Sequence, residues 1–363
     1  MKPVMVAVGT RPEIIKMAPI IRALKRNRIP SVFVHCGQHY DYNMSQQFIE
    51  ELELPAPDYA HQLKTCSQGA QTAQIIIRME RLLKKTDPAT VLVEGDTNGV
   101  LATALAAVKC GIRVGHVEAG LRSFDLHMPE EHNRRLTDHI STYLFAPTRA
   151  AENNLKQENV WGDIYVTGNT VIDAVMQHMP IAQKKSRIME TVNFKKFILA
   201  TAHRAENVDD LAVLKNFMQA FAEAPMPVVC PLHPRTRKRL RQNSLYRKIS
   251  QFKNIQILPP LGYLDFLVLM KHCELIITDS GGVQEEATAP NIRKPVLVAR
   301  LSTERPEAAE AGFSHVVGTS KEKIVNMIRN VLTRQRSLPQ KSPYGEGNAA
   351  DKIVEILKSK IPF

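Results

Sequence analysis

Apolar and polar positions follow two patterns along this chain, short apolar runs typical of buried strands and amphipathic stretches typical of helices. Five segments of the first half have the short, β-branched pattern of buried strands: Val4–Val8, Ser31–Cys36, Thr90–Glu94, Arg113–Glu118 and Tyr143–Ala146. Amphipathic stretches of helical periodicity, such as Ser67–Lys85, lie between them. Strands that alternate with helices predict right-handed βαβ units and a parallel sheet covered on both faces. The first half is therefore predicted to be a doubly wound α/β domain.

The same alternation of predicted strands and helices begins again in the second half of the chain. It predicts a second parallel sheet, with strands at Phe197–Thr201, Pro227–Cys230, Ile255–Leu258, Leu275–Thr278 and Pro295–Val298. A chain of 363 residues also exceeds one ordinary hydrophobic core, which favours two domains. We place the boundary near Gly168, after the strand-like Ile164–Thr167, so that the domains are residues 1–168 and 169–348. The polar segment Lys184–Asn193 is predicted to be an exposed loop.

Composition narrows the class of protein. The hydrophobic fraction of 44% and the charged fraction of 23% are typical of a globular enzyme. No apolar run reaches membrane length, and Val4–Val8 is too short and wrongly flanked for a signal peptide. The five cysteines are scattered and odd in number, which is typical of reduced thiols in a cytoplasmic protein.

The net charge of +12 raises the question of an anionic partner, and Arg235–Arg241 alone holds five basic residues in seven positions. Nucleic-acid binders often carry such charge, but here no aromatic residues interleave with it. We therefore expect solvated helix faces around a site for a small acidic ligand, with neither nucleic acid nor membrane as a partner.

Unusual residues follow the predicted strands directly, where parallel sheets bind their ligands. In Asp279–Glu286 a strand, a small-residue turn and a helix start expose backbone N–H groups, which suits a pyrophosphate, although a simple helix cap has the same pattern. Arg11 and Lys16 lie near another helix start, where cations are unfavourable unless an anion binds. No GxGxxG pattern occurs, which argues against NAD or FAD as a cofactor.

Acids and histidines occupy equivalent positions. Asp96, Glu118 and Glu130 each follow a strand or begin a helix, so they either move a proton or serve as caps and ion-pair partners. His203 and His233 follow strands of the second domain and are candidates for phosphate binding or proton transfer, although most isolated histidines only satisfy local hydrogen bonds. Neither HExxH nor a Cys/His cluster occurs, so no zinc site is expected.

Seven motifs in order, GTRPEIIKMAP, EGDT, GHVEAGLRS, PEEHNRR, TAHRAEN, DSGGVQEEA and STERPE, resemble the non-hydrolysing UDP-N-acetylglucosamine 2-epimerase family over almost the whole chain. The resemblance implies two Rossmann-like doubly wound domains facing across a cleft, as in B-type glycosyltransferases. A terminal helix at residues 349–363 would complete the first domain. It also implies a homodimer that needs neither metal nor cofactor.

Carried over motif by motif, the resemblance implies a set of site residues. Ser280, Gly281 and Gly282 would hold phosphate, Glu286 the ribose, and Phe266 the uracil. Arg11, His203 and Arg305 would neutralise the diphosphate, and His233 and Arg300 would complete the substrate-binding set. Lys16, Asp96, Glu118, Glu130 and Arg134 would surround the sugar, with Lys16, His203 and the three acids as catalytic residues.

The implied reaction eliminates UDP to give 2-acetamidoglucal and adds it back with inversion at C2, yielding UDP-N-acetylmannosamine. Within the family, the rival is an epimerase for a 2,3-diacetamido uronic acid sugar nucleotide, against which Arg305-Pro306 argues. A glycosyltransferase of the same architecture and a catalytically silent sugar-nucleotide sensor are the alternatives from other classes.

Overall fold

The computed structural model describes residues 2–37, 42–61, 63, 67–333 and 337–361. Contacts divide the chain into unit 1, Met1–Ala174 with Tyr344–Phe363, and unit 2, Val175–Pro343. Each unit is built on its own parallel sheet. Among the described residues, no helix has the length and apolar character needed to cross a membrane.

Unit 1 contains a seven-stranded sheet in the order β3-β2-β1-β4-β5-β6-β7. Its strands are β1 Val4–Val8, β2 Ser31–His35, β3 Tyr59–Ala60, β4 Thr90–Glu94, β5 Arg113–Val117, β6 Tyr143–Ala146 and β7 Asp163–Val166. Its helices are α1 Arg11–Arg26, α2 Tyr42–Glu51, α3 Gln68–Thr86, α4 Asn98–Lys109, α5 Pro129–Ile140, α6 Arg149–Gln157 and the start of α7 Thr170–Lys185. All strand pairs are parallel, as the βαβ rhythm predicts.

Unit 2 contains a six-stranded sheet in the order β10-β9-β8-β11-β12-β13. Its strands are β8 Ile198–Thr201, β9 Val228–Pro231, β10 Ile255–Leu258, β11 Leu275–Thr278, β12 Val296–Val298 and β13 Ser314–Val316. Its further helices are α8 Ile188–Thr191, α9 Ala205–Val208, α10 Leu211–Ala222, α11 Pro234–Gln242, α12 Leu245–Ile249, α13 Tyr263–His272, α14 Gly281–Glu286, α15 Pro306–Glu310 and α16 Lys321–Thr333.

The chain returns to unit 1 through α17, Ala349–Lys360. Its apolar face is buried and packs against α1. The Asp173 carboxylate accepts hydrogen bonds from the backbone N–H groups of Ala349, at 3.2 Å, and Ala350, at 3.0 Å, so it satisfies the first donors of the helix. Burial raises the pKa of Asp173 to about 6, although these N–H groups oppose the shift.

Gly168 lies where the returning segment meets the end of the unit 1 sheet. Its φ of +92° is unfavourable for a residue with a side chain, and a Cβ there would lie 3.0 Å from the Tyr344 carbonyl oxygen. The next residue, Asn169, donates its N–H to the same carbonyl at 2.8 Å. Glycine is therefore required by both the backbone angle and the close approach.

Every strand predicted from the sequence is present, within a few residues at its ends. The sequence missed β3 and β13, which are only two and three residues long. The prediction of a loop at Lys184–Asn193 is wrong, because α7 continues to Lys185 and α8 follows at Ile188–Thr191. Ile188 is buried and anchors that turn. Cys36, Cys230 and Cys273 are buried and Cys110 partly so, whereas Cys66 lies outside the described residues.

Candidate functional site

Both sheets contain one point where the strand order reverses, and the candidate residues lie beside it. In unit 1 this point is between β1 and β4, and in unit 2 it is between β8 and β11. The loops that follow such a strand pair lead away in opposite directions, which leaves a crevice at the carboxyl ends of the strands. Gly9–Arg11 and Gly95–Thr97 follow the first pair, and Ala202–Arg204 and Asp279–Ser280 the second.

Lys16 joins two carboxyl groups at the edge of the unit 1 sheet. Its Nζ lies 2.9 Å from Oε1 of Glu94 and also contacts Oε2 of Glu118. The side chains of Lys16, Glu94 and Glu118 are 14%, 2% and 4% exposed, so this cluster is almost dry. Burial raises the pKa of Glu94 well above its usual range; Lys16 opposes the shift and the nearby Glu118 adds to it.

Glu118 has an uncommon backbone conformation directly after β5. Its φ is +69°, in the left-handed region that few residues other than glycine adopt. Its N–H nevertheless bonds to the Phe145 carbonyl at 3.1 Å, so the surrounding sheet holds the residue in place. Positive φ also occurs at helix ends such as Asp87, so the conformation of Glu118 marks a candidate site only together with its burial against Lys16.

Asp96 is held by residues of α5. Nη2 of Arg134 lies 2.5 Å from Oδ2 of Asp96, and Nη1 lies 3.0 Å from Oε2 of Glu131. Asn133 donates its side-chain amide to the Asp96 carbonyl at 2.9 Å. The predicted pair Asp96 and Arg134 is therefore brought together, with Asp96 one-third exposed at the crevice.

Glu130 and Glu131 are neighbours with opposite surroundings. Glu131 is fully buried and accepts hydrogen bonds from the N–H and hydroxyl of Ser123, both at 2.9 Å, besides its pairing with Arg134. Glu130 is exposed in the first turn of α5 and makes no hydrogen bond or ion pair within the part of the chain that the structure describes. The structure thus leaves Glu130 apart from the Asp96–Arg134 pair.

A second buried network joins the segments of unit 1 that follow β4 and β5. His116 places Nδ1 2.7 Å from Oδ1 of Asp138 and Nε2 2.8 Å from the Gly95 carbonyl. Because a carbonyl only accepts, Nε2 carries a proton and donates it. Asp138 also pairs with Nη1 of Arg122 at 2.8 Å. His116 thereby joins Gly95, the residue before Asp96, to β5, the strand that precedes Glu118.

Arg11 and Glu13 lie in the first turn of α1. Arg11 is exposed and lies over the ring of Phe48, 5.7 Å from the centroid, so it is not part of the Lys16 cluster. Glu13 is buried and accepts from the Gly9 N–H at 2.7 Å and the Thr10 hydroxyl at 2.8 Å. Burial raises the pKa of Glu13 to about 7 even though these bonds lower it.

In unit 2, Asp279 holds the segment that follows β8. It accepts from the N–H of His203 at 3.0 Å, the N–H of Arg204 at 2.9 Å and the side chain of Asn207 at 3.0 Å. Burial alone would raise the pKa of Asp279, but its bonds with His203 and its other donors outweigh burial and lower it. The carboxylate therefore stays ionised and fixes His203.

The two candidate histidines of unit 2 lie next to each other. The rings of His203 and His233 lie 5.6 Å apart, and Nδ1 of His203 is 3.2 Å from Oδ1 of Asp279. Burial, together with the neighbouring His203, lowers the pKa of His233. Nδ1 of His233 accepts the Arg235 N–H at 3.2 Å, so a neutral His233 carries its proton on Nε2 and can donate it to an anionic ligand.

The turn into α14 is open on its ligand side. Ser280 is the N-cap residue of this helix, yet its hydroxyl makes no capping bond. A Cβ built on Gly282 would meet nothing within 4 Å, and one on Gly281 would first meet Arg305 at 3.9 Å. Neither glycine has a positive φ. Internal packing therefore requires neither glycine, which leaves room for a ligand to approach the backbone.

Arginines around this turn are paired with acids. Nε of Arg305 lies 2.5 Å from Oε1 of the buried Glu285. Arg300 lies 3.1 Å from Glu206 and 3.2 Å from Glu304, which Arg204 also contacts at 3.2 Å. Burial alone would raise the pKa of Glu304, but Arg204 foremost and the other guanidinium groups lower it. These pairs hold the cations in fixed positions before any anion arrives.

Phe266 and Glu286 lie near Tyr263. Phe266 is half-buried on α13, one turn after Tyr263. Burial and, secondarily, the charge of Glu286 raise the pKa of Tyr263 well above its usual range. An aromatic face and a buried acid therefore lie in the same part of unit 2.

Sequence reasoning missed several residues that organise the site, namely Glu94, His116, Glu131, Asp138, Asp279 and Glu304. Glu94 and Asp279 had a readable signal, because each is an acid at the carboxyl end of a buried strand. His116 and Asp138 carried none, since they are 22 residues apart in the chain, whereas Glu131 and Glu304 lie three and four residues from their arginine partners, a spacing that could have been read. No group of three His, Cys, Asp or Glu residues arranged to hold a metal occurs among the residues described.

Comparison with known proteins gives one consistent result. Residues 22–358 match the family described as UDP-N-acetylglucosamine 2-epimerase. The chain is 46% identical over 361 residues to the UDP-N-acetylglucosamine 2-epimerase of Methanocaldococcus jannaschii, covering 97% of this chain and 98% of that protein. It is 37% identical to the UDP-2,3-diacetamido-2,3-dideoxy-D-glucuronate 2-epimerase of Pseudomonas aeruginosa, covering 98% and 99%.

Solved structures agree with the sequence comparison. The crystal structure of the Methanocaldococcus jannaschii enzyme in complex with UDP-GlcNAc and UDP matches with a TM-score of 0.87 at 46% identity, covering 99% of this chain and 100% of that one. The predicted two-domain α/β fold is thereby confirmed. On sequence and structure together, the chain belongs to the UDP-N-acetylglucosamine 2-epimerase family.

Proposed function

We propose that this protein interconverts UDP-N-acetylglucosamine and UDP-N-acetylmannosamine by eliminating UDP and adding it back to 2-acetamidoglucal. The observation that carries the proposal is the near full-length match to the UDP-N-acetylglucosamine 2-epimerase of Methanocaldococcus jannaschii, whose crystal structure contains UDP-GlcNAc and UDP. The arrangement of acids and cations at both points where strand order reverses supports it.

The chemistry explains the acids of unit 1. The C2–H of the sugar is not acidic, so its removal accompanies departure of UDP from C1. Inversion then needs acid/base groups on opposite faces of the sugar. Asp96 and Glu118 are the proposed proton-handling residues, Glu130 supports or shares this role, and Lys16 and Arg134 hold them and the sugar.

The UDP portion is proposed to bind unit 2. Gly281 and Gly282 present backbone N–H groups to phosphate and Ser280 its hydroxyl, since the Ser280 N–H donates to Thr278, while Glu286 and Phe266 contact ribose and uracil. Cationic side chains stabilise the charge that develops on the leaving diphosphate. The proposed set in unit 2 is His203, His233, Arg300 and Arg305. Fixed arginine pairs support this assignment, because their positions need little rearrangement on binding.

The decisive experiment incubates purified protein with UDP-N-acetylglucosamine alone in heavy water, without added metal or NAD. We expect both UDP sugars at equilibrium, with deuterium at C2 of the product by proton NMR. An Asp96→Asn variant should lose turnover and keep UDP binding. Conversion without deuterium would contradict exchange at C2, and a product released as free sugar would show a hydrolysing enzyme.

Two alternatives are tested in the same assay. The 37% identity to a diacetamido-glucuronate epimerase makes that uronate sugar nucleotide the matched second substrate. We expect kcat/KM to favour UDP-N-acetylglucosamine by at least about tenfold. A preference for the uronate would reassign the substrate, and turnover that required an acceptor sugar would indicate a glycosyltransferase.

A homodimer is also proposed. Leu136 on α5 and Trp161 are large apolar side chains with exposures of 53% and 66%. They lie close together, since Trp161 donates its indole N–H to the carbonyl of His139, one turn after Leu136. Sedimentation should give a dimer that Leu136→Lys dissociates, whereas a monomeric wild-type protein would contradict the proposal.

A further inference from the structure

We infer that Glu94 is a positioning residue that shares one proton with Glu118, so that the two carboxyl groups and Lys16 act as a single titrating unit. This inference rests on the proposed function, in which Glu118 handles a proton, and it assigns a role to an acid outside the set above. Glu94 is the last residue of β4 and is 1% exposed.

The first support is geometric. One ammonium group, Nζ of Lys16, contacts both carboxyl groups, and the side chain of Glu118 also lies within hydrogen-bonding reach of Glu94. Two carboxylates cannot hydrogen-bond to each other, because both only accept. A proton between them turns this contact from repulsive to attractive.

The second support is charge balance. The charged groups that face Glu94 are Lys16 and Glu13 on α1 and Glu118 after β5, and Asp96 in turn faces Glu13. Asp96 is paired with Arg134, and Glu13, whose pKa is raised to about 7, is neutral below that pH and adds a further negative charge above it. Two ionised carboxylates beside Lys16 would leave a net negative charge in a nearly dry cluster, which is strongly unfavourable. One shared proton makes the cluster neutral.

The functional consequence concerns both directions of the reaction. When Glu118 accepts the proton from C2, both carboxyl groups become neutral beside the ammonium of Lys16. The acid/base group on the opposite face then donates a proton to C2, and proton exchange with solvent water afterwards removes the extra proton from Glu118 and reloads that group, which restores the shared state. Because coupled carboxyl groups titrate in two separated steps, the unit keeps one proton over a wide pH range around neutrality.

A spectroscopic test needs no substrate. We expect wild-type protein at about pH 8.5 to show the infrared band of a protonated carboxyl group, although an ordinary Glu is fully ionised there. Glu94→Gln and Glu118→Gln should each remove that band. Glu13→Gln is the matched control, since Glu13, with its pKa of about 7, is mostly ionised at that pH. Absence of the band from the wild type would overturn the inference.

A kinetic test follows for the active enzyme. In Glu94→Gln, Glu118 faces Lys16 alone and ionises at lower pH, so the acidic limb of the kcat profile should move down by about one pH unit or more. Glu94→Asp retains a titrating carboxyl and should restore most of the wild-type profile. UDP affinity should not change. A Gln variant whose kcat falls while its pH profile superimposes on the wild type would show that Glu94 only packs.

The two tests separate the two proposals. A wild type that shows the infrared band but does not epimerise UDP-N-acetylglucosamine keeps the shared proton and contradicts the proposed function. A wild type that epimerises this substrate without the band contradicts the shared proton alone.

Discussion

The two carboxyl groups at the start of α5 show how far adjacent residues differ in role. Glu131 faces inward, where it neutralises Arg134 and satisfies the donors of Ser123. Glu130 faces solvent. Glu131, which makes several hydrogen bonds, stabilises the fold. Glu130 is exposed, so its carboxylate can still accept hydrogen bonds from a ligand.

This contrast predicts opposite effects of the same change at the two positions. Glu131→Gln should lower the free energy of unfolding by about 2 to 4 kcal/mol, because it removes one partner of a buried ion pair. Glu130→Gln should change stability by less than about 0.5 kcal/mol and slow turnover by about two orders of magnitude. Urea unfolding and steady-state kinetics measure both effects. Full activity in a stable Glu130→Gln protein would remove Glu130 from the proton-handling set.

Glu13 predicts a pH dependence of stability. Its pKa is raised to about 7, so between about pH 4.5 and 7 the folded protein keeps a proton that the unfolded chain has released. Stability from this residue therefore falls as pH rises through that window, and the loss is complete above it. Relative to the wild type, Glu13→Gln should gain up to about 3 kcal/mol between those limits.

The measurement is urea unfolding at a series of pH values, followed through Trp161, the single tryptophan of the chain, which lies in unit 1. Glu50→Gln, at an exposed position of α2, is the matched control and should leave the pH dependence unchanged. Parallel curves for the wild type and Glu13→Gln would show that Glu13 does not titrate in this range.

Among the elements, α14 is short and has open space at its start. Its turn contains two glycines that the packing does not require, and its N-cap hydroxyl makes no capping bond. A helix start with unused donors binds an anion well. Glycine at this position lowers the stability of the helix, since glycine is a poor helix former.

The variant Gly282→Ala separates the effect of this glycine on stability from its effect on UDP binding. The added methyl group meets open space, so stability should stay the same or rise by up to about 1 kcal/mol. UDP affinity should fall at least about tenfold, because the methyl group occupies the approach to the backbone. Gly69→Ala on α3 is the matched control, as its Cβ also meets nothing within 4 Å. Calorimetry that shows equal UDP affinity for both variants and the wild type would exclude phosphate from this turn.

The sequence predicts those helices and strands whose own residues show a clear apolar pattern. Buried strands such as Val4–Val8 and Leu275–Thr278 were predicted because uniformly apolar runs need both faces covered. The two-residue β3 leaves too few positions for a pattern. Within the site, motif residues such as Asp96 were found, but the network from His116 to Asp138 was not, because it joins residues 22 apart whose proximity depends on the completed sheet.

At the scale of the whole molecule, unit 1 is completed by residues from the end of the chain. Helix α17 buries Ile353, Val354 and Leu357, and Asp173 satisfies its first N–H groups. Unit 1 therefore closes its core only after the chain has passed through unit 2. Unfolding of the protein is expected in more than one step, since the units have separate cores.

Ile353→Ala should destabilise unit 1 selectively. Ile353 is fully buried on α17, and removing its side chain should cost about 2 to 5 kcal/mol through lost burial and the cavity left behind. The urea midpoint reported by Trp161 should fall, because both residues belong to unit 1. Ile328→Ala on α16 is the matched control, since Ile328 is equally buried but belongs to the core of unit 2. Its effect should appear in the far-ultraviolet circular dichroism transition and leave the Trp161 midpoint nearly unchanged. Equal shifts of the Trp161 midpoint in both variants would show that the two units unfold together, in which case the terminal helix stabilises the whole chain rather than unit 1 alone.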